Sequence, residues 1–218
     1  MPSISTAKTI PGVLDEQASL GDHPAVIDGD VVVGYAQLRE RVRAAARALL
    51  QAGVAHGDRV GIWSQNRVEF IVSVLATQTI GAIIVPLNAR FTGHEAATLL
   101  RRAGVRVLIV SDGFLGKSYS TMLKTATAED AAEGEGPVPA LGALTTIVHF
   151  DEAGERIDEP GWTEFLAAGA QVSDRELDEA IARVTPDDVA DILFTSGSTG
   201  IPKGVMSAHR QTIGVAYS

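Results

Sequence analysis

The chain has 218 residues, enough to bury a core as one large domain or two small ones. Its 45% hydrophobic, 21% charged and 5% aromatic residues are those of a globular protein, which excludes disorder of the whole chain. The net charge of -9 argues against a nucleic-acid surface, which needs clustered Lys and Arg; nine of the acids lie between Ala126 and Pro160, opposed there by Arg156 alone.

In chain order, Ala25 to Ile27 and Val31 to Val33 are β-branched runs around Asp28-Gly29-Asp30, which predicts a hairpin. From Tyr35 the period becomes helical, with Leu38, Val42, Ala45 and Leu49 on one face and Gly53 as the stop. Val60 to Trp63 reads as a buried strand. Asn66, with Glu69 three residues on, is expected to cap a helix whose apolar face is Val68, Ile71, Val72 and Leu75. Ile83 to Val85 is the next strand, Thr92 with Glu95 caps a helix running to Ala103 and stopping at Gly104, and Val107 to Val110 is another strand. Strands alternating with capped helices predict an α/β fold with a parallel sheet flanked by helices.

Residues 126–142, rich in Ala, Glu, Gly and Pro, break this pattern and are expected to form a mobile acidic surface loop within one domain. Beyond it come a strand over Thr146 to Phe150 and a short helix over Trp162 to Ala167. Ser173 and Glu176 then cap a helix whose face is Leu177, Ala180, Ile181 and Val184. Thr185-Pro186-Asp187-Asp188 turns the chain, and its acids, together with Asp191, read as a solvated connection rather than a metal site. Ile192 to Phe194 is an apolar strand. Trp63 reads as a packing residue, and Asn88 and Arg90 as organisers of a loop.

The chain contains no cysteine, and its five histidines (His23, His56, His94, His149, His209) show no metal-ligand spacing. No metal site is therefore expected from this chain alone. With no apolar signal core at the N-terminus and no apolar run long enough to span a bilayer, a cytoplasmic setting without a membrane span is expected.

The last strand leads into Thr195-Ser196-Gly197-Ser198-Thr199-Gly200-Ile201-Pro202-Lys203-Gly204, which packs four hydroxyls, three glycines and one lysine into ten residues. Glycines let backbone N–H groups turn toward an anion, hydroxyls add neutral donors, and Lys203 supplies the charge that a polyphosphate attracts. Composition alone fits a flexible linker equally well. Two local facts favour the phosphate cradle: the stretch follows directly from an apolar strand, and it ends in Pro-Lys-Gly before further apolar residues. The spacing does not give the Gly-Lys-Ser/Thr ending of a Walker A loop, which disfavours P-loop kinases and GTPases.

The run from Asp191 to Val205 closely resembles the signature of the adenylate-forming (AMP-binding) superfamily, which includes acyl-CoA synthetases, amino-acid adenylation domains and luciferases. Val60 to Asn66, Pro86 to Thr92 and the run through His209-Arg210 resemble the same family in the same order. Within it the pattern is most similar to bacterial fatty acyl-CoA ligases, including those that activate steroid-degradation propanoates. The resemblance implies that ATP and a small-molecule carboxylic acid form an acyl-adenylate, with Mg2+ assisting, and that the acyl group then passes to CoA. It assigns Thr195, Ser196, Gly197, Ser198, Thr199, Gly200 and Lys203 to the β- and γ-phosphates, with His209 as a weaker site candidate.

Family members are more than twice this length. By resemblance, residues 1–218 are thus part of the large N-terminal AMP-binding domain, and the acyl pocket, magnesium-binding glutamate, ribose-binding aspartate and adenylation lysine lie downstream. The expectation is a truncated portion without catalytic residues of its own and inactive alone. An amino-acid adenylation domain and a non-catalytic nucleotide-binding fragment are the alternatives, and neither the acid activated nor the oligomeric state is legible.

Overall fold

A computed structural model describes residues 6–113, 116–132, 141–150, 159–195 and 202–217. Helix α1 (Ile10–Gln17), unmarked by any periodicity, is capped by Thr9, whose hydroxyl accepts from the Gly12 amide. The expected hairpin follows as β1 (Pro24–Asp28) and β2 (Val31–Gly34), paired antiparallel. Helix α2 (Tyr35–Gln51) buries Leu38, Val42, Ala45 and Leu49, as its sequence period requires.

Strand β3 (Arg59–Trp63), helix α3 (Val68–Thr79), strand β4 (Ile83–Leu87), helix α4 (Gly93–Ala103) and strand β5 (Val105–Val110) then alternate. After them come helix α5 (Tyr119–Ala132), strand β6 (Thr146–His149), helix α6 (Trp162–Ala168), helix α7 (Asp174–Ala182), strand β7 (Val189–Thr195), strand β8 (Lys203–Ala208) and helix α8 (His209–Ala216). One six-stranded sheet has the order β6-β5-β3-β4-β7-β8. Its first five strands are parallel, but β8 returns antiparallel to β7, so the sheet is mixed rather than wholly parallel. The physical reason is the short connection from Thr195 to Lys203: a parallel neighbour would need a crossover of a dozen or more residues.

The two capping boxes read from sequence are both present, Thr92 with Glu95 on α4 and Ser173 with Glu176 on α7. Helix α4 stops at Gly104, whose left-handed φ of 64° suits glycine, and the Arg59 guanidinium donates to the carbonyls of Ala103 and Gly104 there. Helix α7 turns Leu177 into the core, while Val184 lies beyond its last turn.

Three expectations need correction. Asn66 does not cap α3; the cap position is Arg67, whose side chain pairs with Glu69 and makes no capping bond, and the Val68 amide instead donates to the Asp28 carboxylate, 3.3 Å away on the β1–β2 hairpin. A carboxylate from a distant turn thus meets the positive end of α3. Replacing Asp28 with Ala is expected to cost about 1 kcal/mol, the usual value of a lost cap. Replacing exposed Asn66 with Ala should cost less than about 0.5 kcal/mol. Urea denaturation of both variants checks the pair, and equal costs would refute the assignment.

The second correction concerns the acidic stretch. Its first part, residues 126–132, continues α5, with Ala126 buried and Glu129 paired to His94 of α4 at 3.0 Å. Gly93 permits this packing, since a Cβ there would lie 2.2 Å from the Met122 carbonyl oxygen. Helix–helix burial outweighs the weak periodicity. Residues 133–140 lie outside the described residues. The third concerns the turn acids, of which only Asp187 is exposed, where it pairs with Arg210: Asp188 accepts from the Thr185 amide at 2.7 Å and meets His56 Nε2 at 3.0 Å, and Asp191 is buried.

The core has two parts, one on each face of the sheet. Val60, Ile62, Ile84, Val107 and Ile109 pack under α2 and α3, while Trp63, Val85, Leu108 and Val110 pack under α4 and α5. Alternate residues of each strand serve opposite faces, the period-two consequence of the pleat.

Candidate nucleotide-phosphate site

Parallel strands β3, β4, β5 and β7 end at one edge of the sheet, at Trp63, Leu87, Val110 and Thr195. After β4 the chain crosses back over β3 to place β5 on its other side, and later places β7 beyond β4. The order therefore reverses between β3 and β5, and ligands of open α/β sheets bind beyond the carboxyl ends of the strands at such a switch. Of the segments marked by resemblance, Val60 to Asn66 and Pro86 to Thr92 run out at this edge, and Thr195 of the signature ends β7 there.

Trp63, the last residue of β3, is fully buried and stacks on Tyr119 with ring centroids 4.3 Å apart. Its indole N–H donates to the Asn88 carbonyl at 3.0 Å, and the Tyr119 hydroxyl donates to the Ala89 carbonyl at 2.8 Å. Asn88 in turn accepts at Oδ1 from the Arg90 amide at 2.9 Å and at its carbonyl from Phe91. Two aromatic rings thus hold the turn after β4, which leaves Asn88 and Arg90 exposed at the rim. Trp63 is a packing residue, as its position at a strand end suggests, and also an anchor of that turn. Tyr119 gave no signal in the sequence, because its partners come from β3 and from the turn after β4.

The predicted phosphate-binding residues divide in two. Thr195 and Lys203 face each other as the last pair of the β7–β8 ladder, both exposed. Lys203 has no ion pair among the described residues, so its charge is available to a ligand. Ser196, Gly197, Ser198, Thr199 and Gly200 lie outside the described residues. The outer half of the hairpin is only partly covered: Leu193, Val205 and Met206 are exposed at 49%, 52% and 65%, while Ile192 and Phe194 pack half-buried against the core. His209 is not merely a polar residue after a strand: it begins α8, is fully buried, and burial holds its pKa below the ordinary value.

At the opposite end of the same edge the His149 imidazole lies between two carboxylates. Its Nδ1 is 2.9 Å from Asp112, its Nε2 contacts Glu159, and Glu159 also meets Lys124 at 2.8 Å. Asp112 accepts further from the Tyr119 amide at 2.6 Å. Burial by itself would lower the His149 pKa, but the hydrogen bonds and charges of Asp112 and Glu159 outweigh it and raise the value above the ordinary 6.5. For Asp112, burial opposes ionisation, yet the bonds from His149 and Tyr119 lower its pKa below the ordinary 3.8. A raised histidine contributes stability that is complete below its unfolded pKa and is lost as pH rises through the folded one. A lowered aspartate contributes stability that is lost as pH falls through its folded pKa. Melting temperature is therefore expected to fall as pH rises above 6.5 and to lose that slope in His149→Gln; an unchanged slope would refute the clamp.

Among the described residues no cluster of His, Asp or Glu could hold a metal, and no helix is long and apolar enough to cross a membrane.

The profile of the AMP-binding enzyme family matches residues 14–218. A (7a-methyl-1,5-dioxo-octahydro-1H-inden-4-yl)propanoyl:CoA ligase of Rhodococcus jostii (strain RHA1) is 38% identical over 215 residues, covering 96% of this chain and 39% of that protein. Its namesake from Mycobacterium tuberculosis (strain ATCC 25618 / H37Rv) is 39% identical over 216 residues, covering 99% of this chain and 39% of that protein. Among solved structures, the inhibitor-bound N-terminal domain of FACL13 from Mycobacterium tuberculosis superposes with a TM-score of 0.68 at 26% identity, covering 93% of this chain and 45% of that one. The chain thus spans about two-fifths of the length of the curated relatives it matches. With Thr195 and Lys203 of the signature at the carboxyl edge of a mixed α/β sheet and a family match over nearly its whole length, the chain belongs to the AMP-binding enzyme family.

Proposed function

We propose that this chain is the ATP-phosphate-binding part of an enzyme that activates a carboxylic acid as an acyl-adenylate and passes the acyl group to CoA. The observation that carries this reading is the exposed pair Thr195 and Lys203, set at the carboxyl edge of the sheet and flanking the Ser/Gly/Thr stretch. The hydroxyls and amides of Thr195, Ser196, Gly197, Ser198, Thr199 and Gly200, with the Lys203 ammonium, would hold the β- and γ-phosphates. The substrate carboxylate attacks the α-phosphorus and pyrophosphate departs. Charge that develops on the departing pyrophosphate is met by fixed donors and a cation, which is what such a transfer requires of a protein.

The described residues fit the polyphosphate, because Lys203 is exposed and without an ion pair among them. They offer no carboxylate cluster for Mg2+, which as a shared ligand of the phosphates would take its protein oxygens from elsewhere in the enzyme. The names of the two bacterial relatives support a propanoate on a fused-ring skeleton as the acid activated. The absence of cysteine suits a reducing, cytoplasmic setting.

Pyrophosphate release is measured with ATP, Mg2+ and fatty, aromatic, fused-ring and amino acids, on this chain and on the longest polypeptide its gene encodes. The expected result is release by the longer polypeptide alone, followed by CoA-dependent thioester formation. Silence from both across the panel would overturn the reading in favour of a non-catalytic nucleotide-binding protein. Amino-acid-specific release without thioester formation would favour an amino-acid adenylation domain.

A further inference from the structure

His209 has a buried ring that the proposed chemistry does not use, and its contacts join three parts of the chain. Its backbone amide donates to the Asp188 carbonyl at 3.1 Å, and the next amide, that of Arg210, donates to the Pro186 carbonyl at 3.1 Å. The residue before it, Ala208, pairs with Val189 at the base of the β7–β8 ladder. The ring is therefore fixed to the root of both strands. Its Nδ1 accepts from the amide of Ile10, the first residue of α1, at 3.2 Å. An amide in that position has no partner within its own helix, and His209 supplies one across 199 residues of sequence.

An acceptor at Nδ1 places the proton of the neutral ring on Nε2. A neutral ring is also what burial favours at this position. Nearby, Thr212 of α8 donates to buried Asp191 of β7 at 3.2 Å, a second tie between the helix and the root of the hairpin.

The hairpin responds to its root for a mechanical reason. Strand β4 pairs with β7 at Ile84 and Asp191, in the lower half, whereas Leu193, Val205 and Met206 farther out are exposed. Beyond the packing of Ile192 and Phe194 against the core, the outer half is held by its own ladder, which runs without interruption from Asp191 opposite Ser207 to Thr195 opposite Lys203. A shift at the root is transmitted along that ladder to the tip.

We propose that His209 is a positioning residue that couples the N-terminal helix α1 to the loop-bearing hairpin, so that the placement of Thr195 and Lys203 depends on the bond from the Ile10 amide to the imidazole Nδ1. Its consequence for nucleotide affinity rests on the reading of the loop given above; the coupling itself does not.

The test is amide hydrogen exchange on the whole chain without nucleotide, in the parent protein and in His209→Asn, His209→Gln and Ile10→Pro. The Asn side-chain oxygen stands close to the place of Nδ1, whereas Gln places its amide nearer Nε2. Proline at the first helical position removes the donor and leaves His209 intact. Exchange over residues 203–208 is expected to rise about tenfold in His209→Gln and Ile10→Pro, and to stay within about twofold of the parent in His209→Asn, the scale of one hydrogen bond. The apparent Kd for ATP should rise in the same order. Equal loosening by Asn and Gln, or an Ile10→Pro protein in which α1 loosens and the hairpin does not, would overturn the coupling. Failure of the parent chain to bind ATP would strike the polyphosphate reading, while the exchange of Ile10→Pro would still decide this one.

Discussion

Replacing Lys203 with alanine is expected to slow ATP-dependent pyrophosphate release by the longest polypeptide of the gene by about 10²–10³-fold, the usual effect of removing one fixed group that stabilises developing charge. The side chain is exposed at the first residue of β8 and forms no ion pair among the described residues, so its removal leaves no charge unpaired in the fold. Stability should then change by less than about 0.5 kcal/mol, as for other surface substitutions. That separation between activity and folding is the informative part. Release at the parental rate would defeat the assignment of Lys203 to the phosphates. Lost release together with a large drop in melting temperature would instead make the lysine a folding residue. Arginine at this position keeps the charge but presents a planar fork in place of a compact ammonium, so Lys203→Arg should restore only part of the rate.

The largest effect on stability is expected at Trp63. Alanine there removes a fully buried indole from the face of the sheet covered by α4 and α5, and with it the stack on Tyr119 and the bond to the Asn88 carbonyl. The cost should be about 3–5 kcal/mol, the range for large aromatic side chains lost from a core. Trp63→Phe keeps most of the ring volume. It removes the N–H donor, but the Asn88 carbonyl still accepts from the Phe91 amide, so that part of the loss should be no more than about 1.5 kcal/mol. Chemical denaturation of the two variants gives both numbers. A Trp63→Ala protein within about 1 kcal/mol of the parent would show that the aromatic pair does not anchor the turn after β4.

These expectations join the fold to the candidate site through particular contacts. The turn at Asn88 to Phe91 is held from below by rings of β3 and α5, and the β7–β8 hairpin is held at its root by α8 and α1. Each exposed element of the carboxyl edge is thus carried by a buried one.

The two capping boxes, the face of α2 and the strands β3, β4 and β5 were legible in the sequence because each depends on residues three, four or two positions apart. Membership of the AMP-binding family was legible for a similar reason: the hydroxyls, glycines and lysine of residues 195–203 are consecutive, and their resemblance to a family signature needs no knowledge of what lies across the fold. Tertiary structure alone decided the rest. Asn66 looked like the cap of α3, but the carboxylate that meets this helix end is Asp28, brought there by the β1–β2 hairpin. The acidic composition from residue 126 suggested a loop, yet burial of Ala126 against α4 extends α5 to Ala132. The direction of β8, the anchoring of Asn88 by Trp63 and Tyr119, the pairing of His149 with Asp112 and Glu159, and the bond from Ile10 to His209 join residues far apart in the chain. Hydrogen bonds and close packing act over a few ångströms of space whatever the separation in sequence, so such partners become visible only when the chain has folded.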